Sequence, residues 1–330
     1  MSAQVRGWCP TVFAPMQTGD GFLARVKPVH ASLSLAGARS LAAAAREHGN
    51  GMLNLTNRGN LQVRGLSEAS AGAFAAAMVT AGLADPDAEV ERRRNVIVSP
   101  LVGDDPDVAP TTRAVADAIA RVLASDPTRA GLPEKFAVAV DGGGALPLGE
   151  TGARVHIRLG DPLPAGAGTP VGYIPYRSEA RGAFGFAPPF GQMPSDALLA
   201  LAAIAERAGA ATLRVTPWRA LMIPGVPASA SAELSEAGTA AGFIVEGTDP
   251  RLRIVACPGK PACAEASVDT LRDAETLAGR VPGAALVHVA GCTKGCAHPR
   301  AAAVTFVGID GRYGIVRDGS AVDPPSEWAA

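Results

Sequence analysis

Four of the five cysteines could do metal chemistry. They are spaced Cys257-x5-Cys263, then 28 intervening residues, then Cys292-x3-Cys296. A disulfide framework is unexpected in a reducing compartment, where clustered cysteines more often bind metal or do redox chemistry. Four thiolates suit a tetrahedral zinc ion or an iron–sulfur cluster. Structural zinc sites usually pair their cysteines across two to four residues, so the five-residue loop Pro258–Ala262 leans toward the larger cluster. Lys260, Lys294 and Arg300 surround these cysteines. Cys9 stands apart, as a small buried hydrophobe or as a pocket residue. The histidines are His30, His48, His156, His288 and His298, and none forms a spaced ligand pair. His298, beside Cys296, is the candidate for a supporting position or an iron site. His156 and His288 read as core residues on strands.

The elements that must position these groups repeat. Residues 41–66 align without a gap on residues 201–226 at an offset of 160. Leu41/Leu201, Ala42/Ala202, Gly49/Gly209, Leu53/Leu213, Thr56/Thr216, Leu61/Leu221 and Gly65/Gly225 are identical pairs. Each copy reads as an Ala/Leu helix closed by a left-handed glycine at Gly49 or Gly209, then a strand at 53–57 or 213–217. A tight connection and a second strand, at 61–65 or 221–224, complete the unit. An earlier strand is expected at 22–27, where Phe22, Ala24 and Val26 alternate. A weaker repeat relates Arg94–Pro100 to Arg253–Pro258, each leading to a helix (109–125, 262–279) and a strand (136–141, 284–290). The order is therefore A–B–A′–B′, an α+β chain with the clustered cysteines confined to B′.

Composition sets limits. The 330 residues carry 30 Lys+Arg against 31 Asp+Glu, a formal charge of -1, with 48% hydrophobic and 18% charged residues. That balance describes a folded chain of about two domains and argues against coating nucleic acid. There is no run fit to span a bilayer and no signal-peptide layout, so a cytoplasmic location without membrane partners is expected. No G-x-G-x-x-G follows a strand, so reducing equivalents are expected from a separate reductase or ferredoxin.

Cys-x5-Cys with Cys-x3-Cys in the second half of a duplicated α+β chain resembles the nitrite/sulfite reductase superfamily. There, siroheme lies against a 4Fe–4S cluster and the last cysteine, here Cys296, bridges the two centres. Leu55-Thr56-Asn57-Arg58 with Leu61-Gln62, Arg94-Asn95-Val96, and Leu132-Pro133-Glu134-Lys135-Phe136 are similar to that family's tetrapyrrole-binding segments. Two departures stand out. The second lysine of the third segment is replaced by Ala137, and the loop between the last cysteines reads Thr293-Lys294-Gly295. Gly291 through Pro299, Arg6-Gly7-Trp8-Cys9-Pro10, Met16–Gly21, Phe186–Gly191 and Thr216–Ala220 resemble the branch that oxidises a tetrapyrrole in cobalamin synthesis.

The resemblance implies a pseudo-twofold duplicated nitrite/sulfite reductase-like fold. Ferredoxin-like half-domains would occupy 1–85 and 166–235, and α/β units 86–165 and 236–330, the last holding a 4Fe–4S cluster on Cys257, Cys263, Cys292 and Cys296. It implies O2-dependent monooxygenation of precorrin-3A at C20 with lactone formation. The polyanionic substrate would be held by Arg58, Arg64, Arg94, Lys135 and Arg219, since guanidinium forks grip carboxylates. The branch is also associated with a mononuclear non-haem iron, whose ligands the histidines do not reveal. The alternatives are a siroheme-dependent nitrite or sulfite reductase, and a non-catalytic iron–sulfur carrier or zinc-stabilised binding module.

Overall fold

The computed structural model describes residues 9–125, 132–133, 135–149, 151–160, 170–280, 283 and 285–329. Arg6-Gly7-Trp8 and Glu134, which carry part of the resemblance, lie outside them. The chain forms two compact units: a larger one from Gly7–Met16 and Phe22–Gly247, and a smaller one from Gln17–Gly21 and Thr248–Ala330.

In the larger unit the duplication is built as two antiparallel sheets that exchange a strand. The first orders Gly21–Val26, Leu61–Leu66, Met52–Leu55 and Gln192–Pro194; the second orders Ser32–Ser34, Thr212–Val215, Leu221–Pro227, Arg181–Phe186 and Gly172–Pro175. Gln192–Pro194 comes from the second copy but pairs Met193 with Leu53 of the first, and Ser32–Ser34 reciprocates by pairing Leu33 with Leu213. Each copy thus closes the other's sheet edge, where an open edge would invite aggregation.

The helices Leu35–His48 and Ser195–Arg207 lie side by side over these sheets. Leu41, Ala42, Ala45, Leu201, Ala202 and Ala205 are fully buried in one shared core. Alanine at these positions lets the helices approach closely, while each buried leucine contributes roughly 2 kcal/mol by leaving water. Ser34 caps the first helix, its side chain accepting from the Gly37 N–H at 3.0 Å.

Gly209 does take the left-handed conformation, at φ 76°, but Gly49 does not. Gly49 is extended (φ −120°) because the Arg64 carbonyl oxygen occupies the space a Cβ would need, and Gly51 takes the left-handed turn at φ 76°.

The larger unit also holds a parallel sheet of Val96–Val98, Val138–Asp141 and Val155–Arg158, covered by the helix Thr112–Ser125 through Ala116 and Leu123. The smaller unit repeats the motif with Ile254–Ala256, Val287–Ala290 and Ala302–Ile309 in parallel, then adds Arg312–Gly319 and Glu327–Trp328 antiparallel. Its helix is Thr270–Ala278, not 262–279. The stretch before it is irregular because Cys263 lies in a loop tied by backbone bonds: Cys263 N–H to the Gly259 carbonyl at 2.8 Å and Lys260 N–H to the Val268 carbonyl at 2.8 Å. His288 is fully buried on its strand, as expected. His156 is exposed, because Val155–Arg158 is an edge strand whose residues face solvent.

Candidate ligand pocket and cysteine loops

The larger unit contains a small, partly open pocket of about 60 Å³. Lys27, His30, Arg58, Arg94, Asp117 and Ala137 are among its lining residues. Arg58, Arg94 and Ala137 are lining residues that the sequence motifs singled out.

Each cation is fixed by a different means. Arg58 donates from Nη2 to the carbonyls of Lys135 (3.0 Å) and Gly152 (3.2 Å), which holds the guanidinium against the third motif. Arg94 donates from Nη2 and Nε to Glu91 Oε2, at 2.7 and 3.1 Å. Glu91 is fully buried, and the Asp85 N–H also donates to its Oε2 at 3.0 Å. Lys27 is 4% exposed and donates from Nζ to the Glu91 (2.6 Å) and Arg92 (3.2 Å) carbonyls. Burial pushes the Lys27 ammonium down to about 8, with the nearby Glu91 carboxylate opposing the shift and Arg94 and Arg25 adding to it.

Three of the expected cations stand elsewhere. Arg64 is buried, and neither it nor Arg219 lines the pocket. Arg219 sits in the tight connection of the second copy at φ 59°, its stem packed where Gly191 leaves no room for a Cβ. Lys135 meets the pocket's edge through its backbone carbonyl rather than its exposed side chain. Lys27, His30 and Asp117 were not singled out from the sequence. A signal for Lys27 existed: Arg25 and Lys27 alternate with the buried Ala24 and Val26, so two cations share the strand's other face.

Cys9 belongs to this cationic surround. The Arg25 guanidinium lies near its thiol; burial lowers the guanidinium from its ordinary value, and the neighbouring Cys9 opposes that shift.

In the smaller unit, the cysteines occupy loops at the C-terminal ends of two neighbouring parallel strands, Ile254–Ala256 and Val287–Ala290. Gly291 N–H donates to Cys257 Sγ at 3.1 Å, and Ser267 N–H donates to the Gly291 carbonyl at 2.8 Å, which stitches the loops together. The buried Thr270 hydroxyl donates to the Cys257 carbonyl at 2.5 Å. Gly19 passes so close to Cys263 that a Cβ there would lie 2.8 Å from its carbonyl carbon.

Two thiols record their mutual proximity. Cys296 has an exposed side chain, yet lost solvation pushes its thiol up to about 11, and Cys257, Cys263 and Cys292 raise it further. Burial likewise raises Cys292, with Cys263 and Cys257 adding to the effect. The donor set, four soft sulfurs with an N–H aimed at one of them, fits a thiolate-bound metal centre. Among the described residues no three His, Cys, Asp or Glu side chains, these cysteines included, are gathered to grip a single ion, so no ligands are assigned to a mononuclear iron or to a tetrahedral zinc. His298 packs edge-on against His288 at 5.8 Å, and its Nε2 lies 3.3 Å from the Ala301 carbonyl.

The fold and these sites define a class. A family model described as "Nitrite/Sulfite reductase ferredoxin-like half domain" matches twice, at residues 14–80 and 175–241, the two copies found here. Over those two stretches the chain is similar to that half-domain and has its duplicated fold. A curated relative, "Precorrin-3B synthase" of Sinorhizobium sp., is 29% identical over 397 aligned positions, covering 98% of this chain and 85% of the relative. Among solved structures, "Structure of Mycobacterium tuberculosis NirA protein" superposes with a TM-score of 0.68 at 18% identity, covering 94% of this chain and 77% of that one. That similarity speaks to the fold. Among the described residues no helix is long and apolar enough to cross a membrane.

Proposed function

We propose that this chain is a precorrin-3B synthase. It would oxidise precorrin-3A with O2, placing oxygen at C20 and closing a lactone with an acetate side chain. One oxygen atom stays on the product, and the other leaves as water after uptake of two electrons and two protons. The observation that carries this reading is the extent of the match to the Sinorhizobium protein: 29% identity over an alignment that spans 98% of this chain.

The pocket of the larger unit supports it. An octacarboxylate ligand needs several fixed cations, and Lys27, Arg58 and Arg94 line one cavity. Their anchoring to Glu91, Gly152 and backbone carbonyls orients them before the ligand arrives, so less entropy is lost on binding. Ala137, 1% exposed, adds no further charge to this wall, which suits a neutral meso carbon better than a small oxyanion.

Cys257, Cys263, Cys292 and Cys296 would hold a 4Fe–4S cluster, which supplies single-electron relay when bound. The N–H of Gly291 would tune it through Cys257, since hydrogen bonds to ligand sulfur raise reduction potential. Electrons would come from a separate reductase or ferredoxin, in the cytoplasm.

The test is anaerobic purification followed by incubation with precorrin-3A, O2 and a chemical reductant, with the product read by mass. A product heavier by one oxygen supports the assignment. No product, together with a siroheme absorption band and sulfite reduction, assigns the chain to the reductases instead.

A further inference from the structure

Within the pocket, one residue is built unlike its counterpart in the other copy. His30 adopts φ 51°, ψ 35°, and Ala31 follows at φ 56°. Side-chain-bearing residues rarely enter this left-handed region, and such strain persists where the surroundings over-determine it. At the offset of 160, the second copy has Phe190 (φ 55°, ψ 18°) and Gly191 (φ 75°). The backbone turn is therefore a property of the fold, and phenylalanine satisfies it. What the first copy adds is an imidazole.

That imidazole is held from two sides. Its Nε2 lies 2.6 Å from Asp117 Oδ1, on the helix Thr112–Ser125, and its ring is 18% exposed. Its backbone carbonyl accepts from Arg214 Nη1 at 3.2 Å. Arg214 is itself buried and paired with Asp104. Both His30 and Asp117 line the pocket with Lys27, Arg58 and Arg94. A carboxylate facing Nε2 demands a proton on that nitrogen, which fixes the ring's orientation and leaves Nδ1 for a second partner.

We propose that His30 is a substrate-binding residue, contacting a carboxylate of the tetrapyrrole through Nδ1–H, with Asp117 as the residue that positions it. The assignment rests on the tetrapyrrole reading above and adds a specific contact to it. With Nε2–H committed to Asp117, donation from Nδ1 makes the bound ring an imidazolium, lying between the Asp117 carboxylate and the ligand's. The other charged groups around it are Lys27, Arg58 and Arg94 in the pocket and Arg214 at its backbone.

The experiment measures equilibrium binding of uroporphyrin, an octacarboxylate tetrapyrrole, by fluorescence quenching. The proteins are wild type, His30→Phe, His30→Gln, Asp117→Ala and the His30→Phe/Asp117→Ala double variant. His30→Phe installs the residue that the second copy already carries in this conformation, so the turn is retained. It should weaken binding about tenfold, the worth of one charge-assisted hydrogen bond. His30→Gln, which keeps a donor, should recover most of that loss. Asp117→Ala should weaken binding about threefold alone and have no effect in the His30→Phe background, because its action passes through the ring. Wild-type affinity in His30→Phe, or additive losses in the double variant, would overturn the proposal while leaving the tetrapyrrole reading intact. Failure of wild type and all variants to bind uroporphyrin would instead overturn that reading, and this contact with it.

Discussion

Replacing Lys27 by methionine should favour folding of the larger unit more at neutral pH than at alkaline pH. The ammonium is 4% exposed and its pKa falls from 10.5 to about 8. A cation whose folded pKa lies below its unfolded value costs stability below the folded pKa. That cost fades as pH rises between the two values, because the unfolded chain then binds the extra proton. At about 1.36 kcal/mol per unit, the charged side chain costs about 3 kcal/mol at pH 7 and less than about 0.5 kcal/mol at pH 10.5. Methionine also leaves the Glu91 and Arg92 carbonyls without their Nζ donor. That loss, about 1–3 kcal/mol, is the same at both pH values and partly offsets the gain at pH 7. The informative quantity is thus a difference of differences. Urea unfolding followed by tryptophan fluorescence, for both proteins at pH 7 and pH 10.5, should show the variant's relative stability falling by about 3 kcal/mol across the interval. Other groups that titrate there do so in both proteins and cancel. A difference that stays constant with pH would show that the ammonium is solvated as it is in water, and the reasoning from burial would fail.

Other substitutions test the remaining supports. Glu91→Gln breaks a fully buried carboxylate's pairing with Arg94 and should lower unfolding stability by about 3 kcal/mol, read from the same urea curves; an unchanged midpoint would show the pair is dispensable. Arg58→Ala removes the guanidinium bound to the Lys135 and Gly152 carbonyls and should weaken uroporphyrin binding at least about tenfold, with wild-type affinity as the contrary result. Gly291→Ala sets a Cβ 2.7 Å from that of Ala266 and 3.3 Å from Cys257 Sγ, which should part the two cysteine loops. Iron and acid-labile sulfide per chain should then fall to less than about half of wild type, as expected of over-packing at a metal site; full occupancy would contradict the coupling of the loops.

The architecture was legible because hydrophobic alternation and the 160-residue offset survive in the sequence. The strand exchange was not, since Ser32–Ser34 and Gln192–Pro194 are three-residue strands whose partners lie in the other copy. Local pattern carries no information about which sheet such a strand will join. Gly49 shows a second limit: a glycine after a helix suggests a left-handed cap, but here close approach to the Arg64 carbonyl decides its conformation. In the site, Arg58 and Arg94 were found through motifs, whereas Lys27 and His30 owe their places to burial and backbone strain. Arg64 and Arg219 show the converse. A cation on a repeated segment faces the pocket only when the strand's alternation turns it there, and the second copy's segments serve the fold differently.

The central claim is tested most directly by oxygen labelling. With precorrin-3A, a reductant and 18O2, the product should retain one labelled oxygen atom and should form only on protein whose four cysteines carry iron and sulfide. Unlabelled product, or turnover by Cys296→Ser protein devoid of iron, would contradict it.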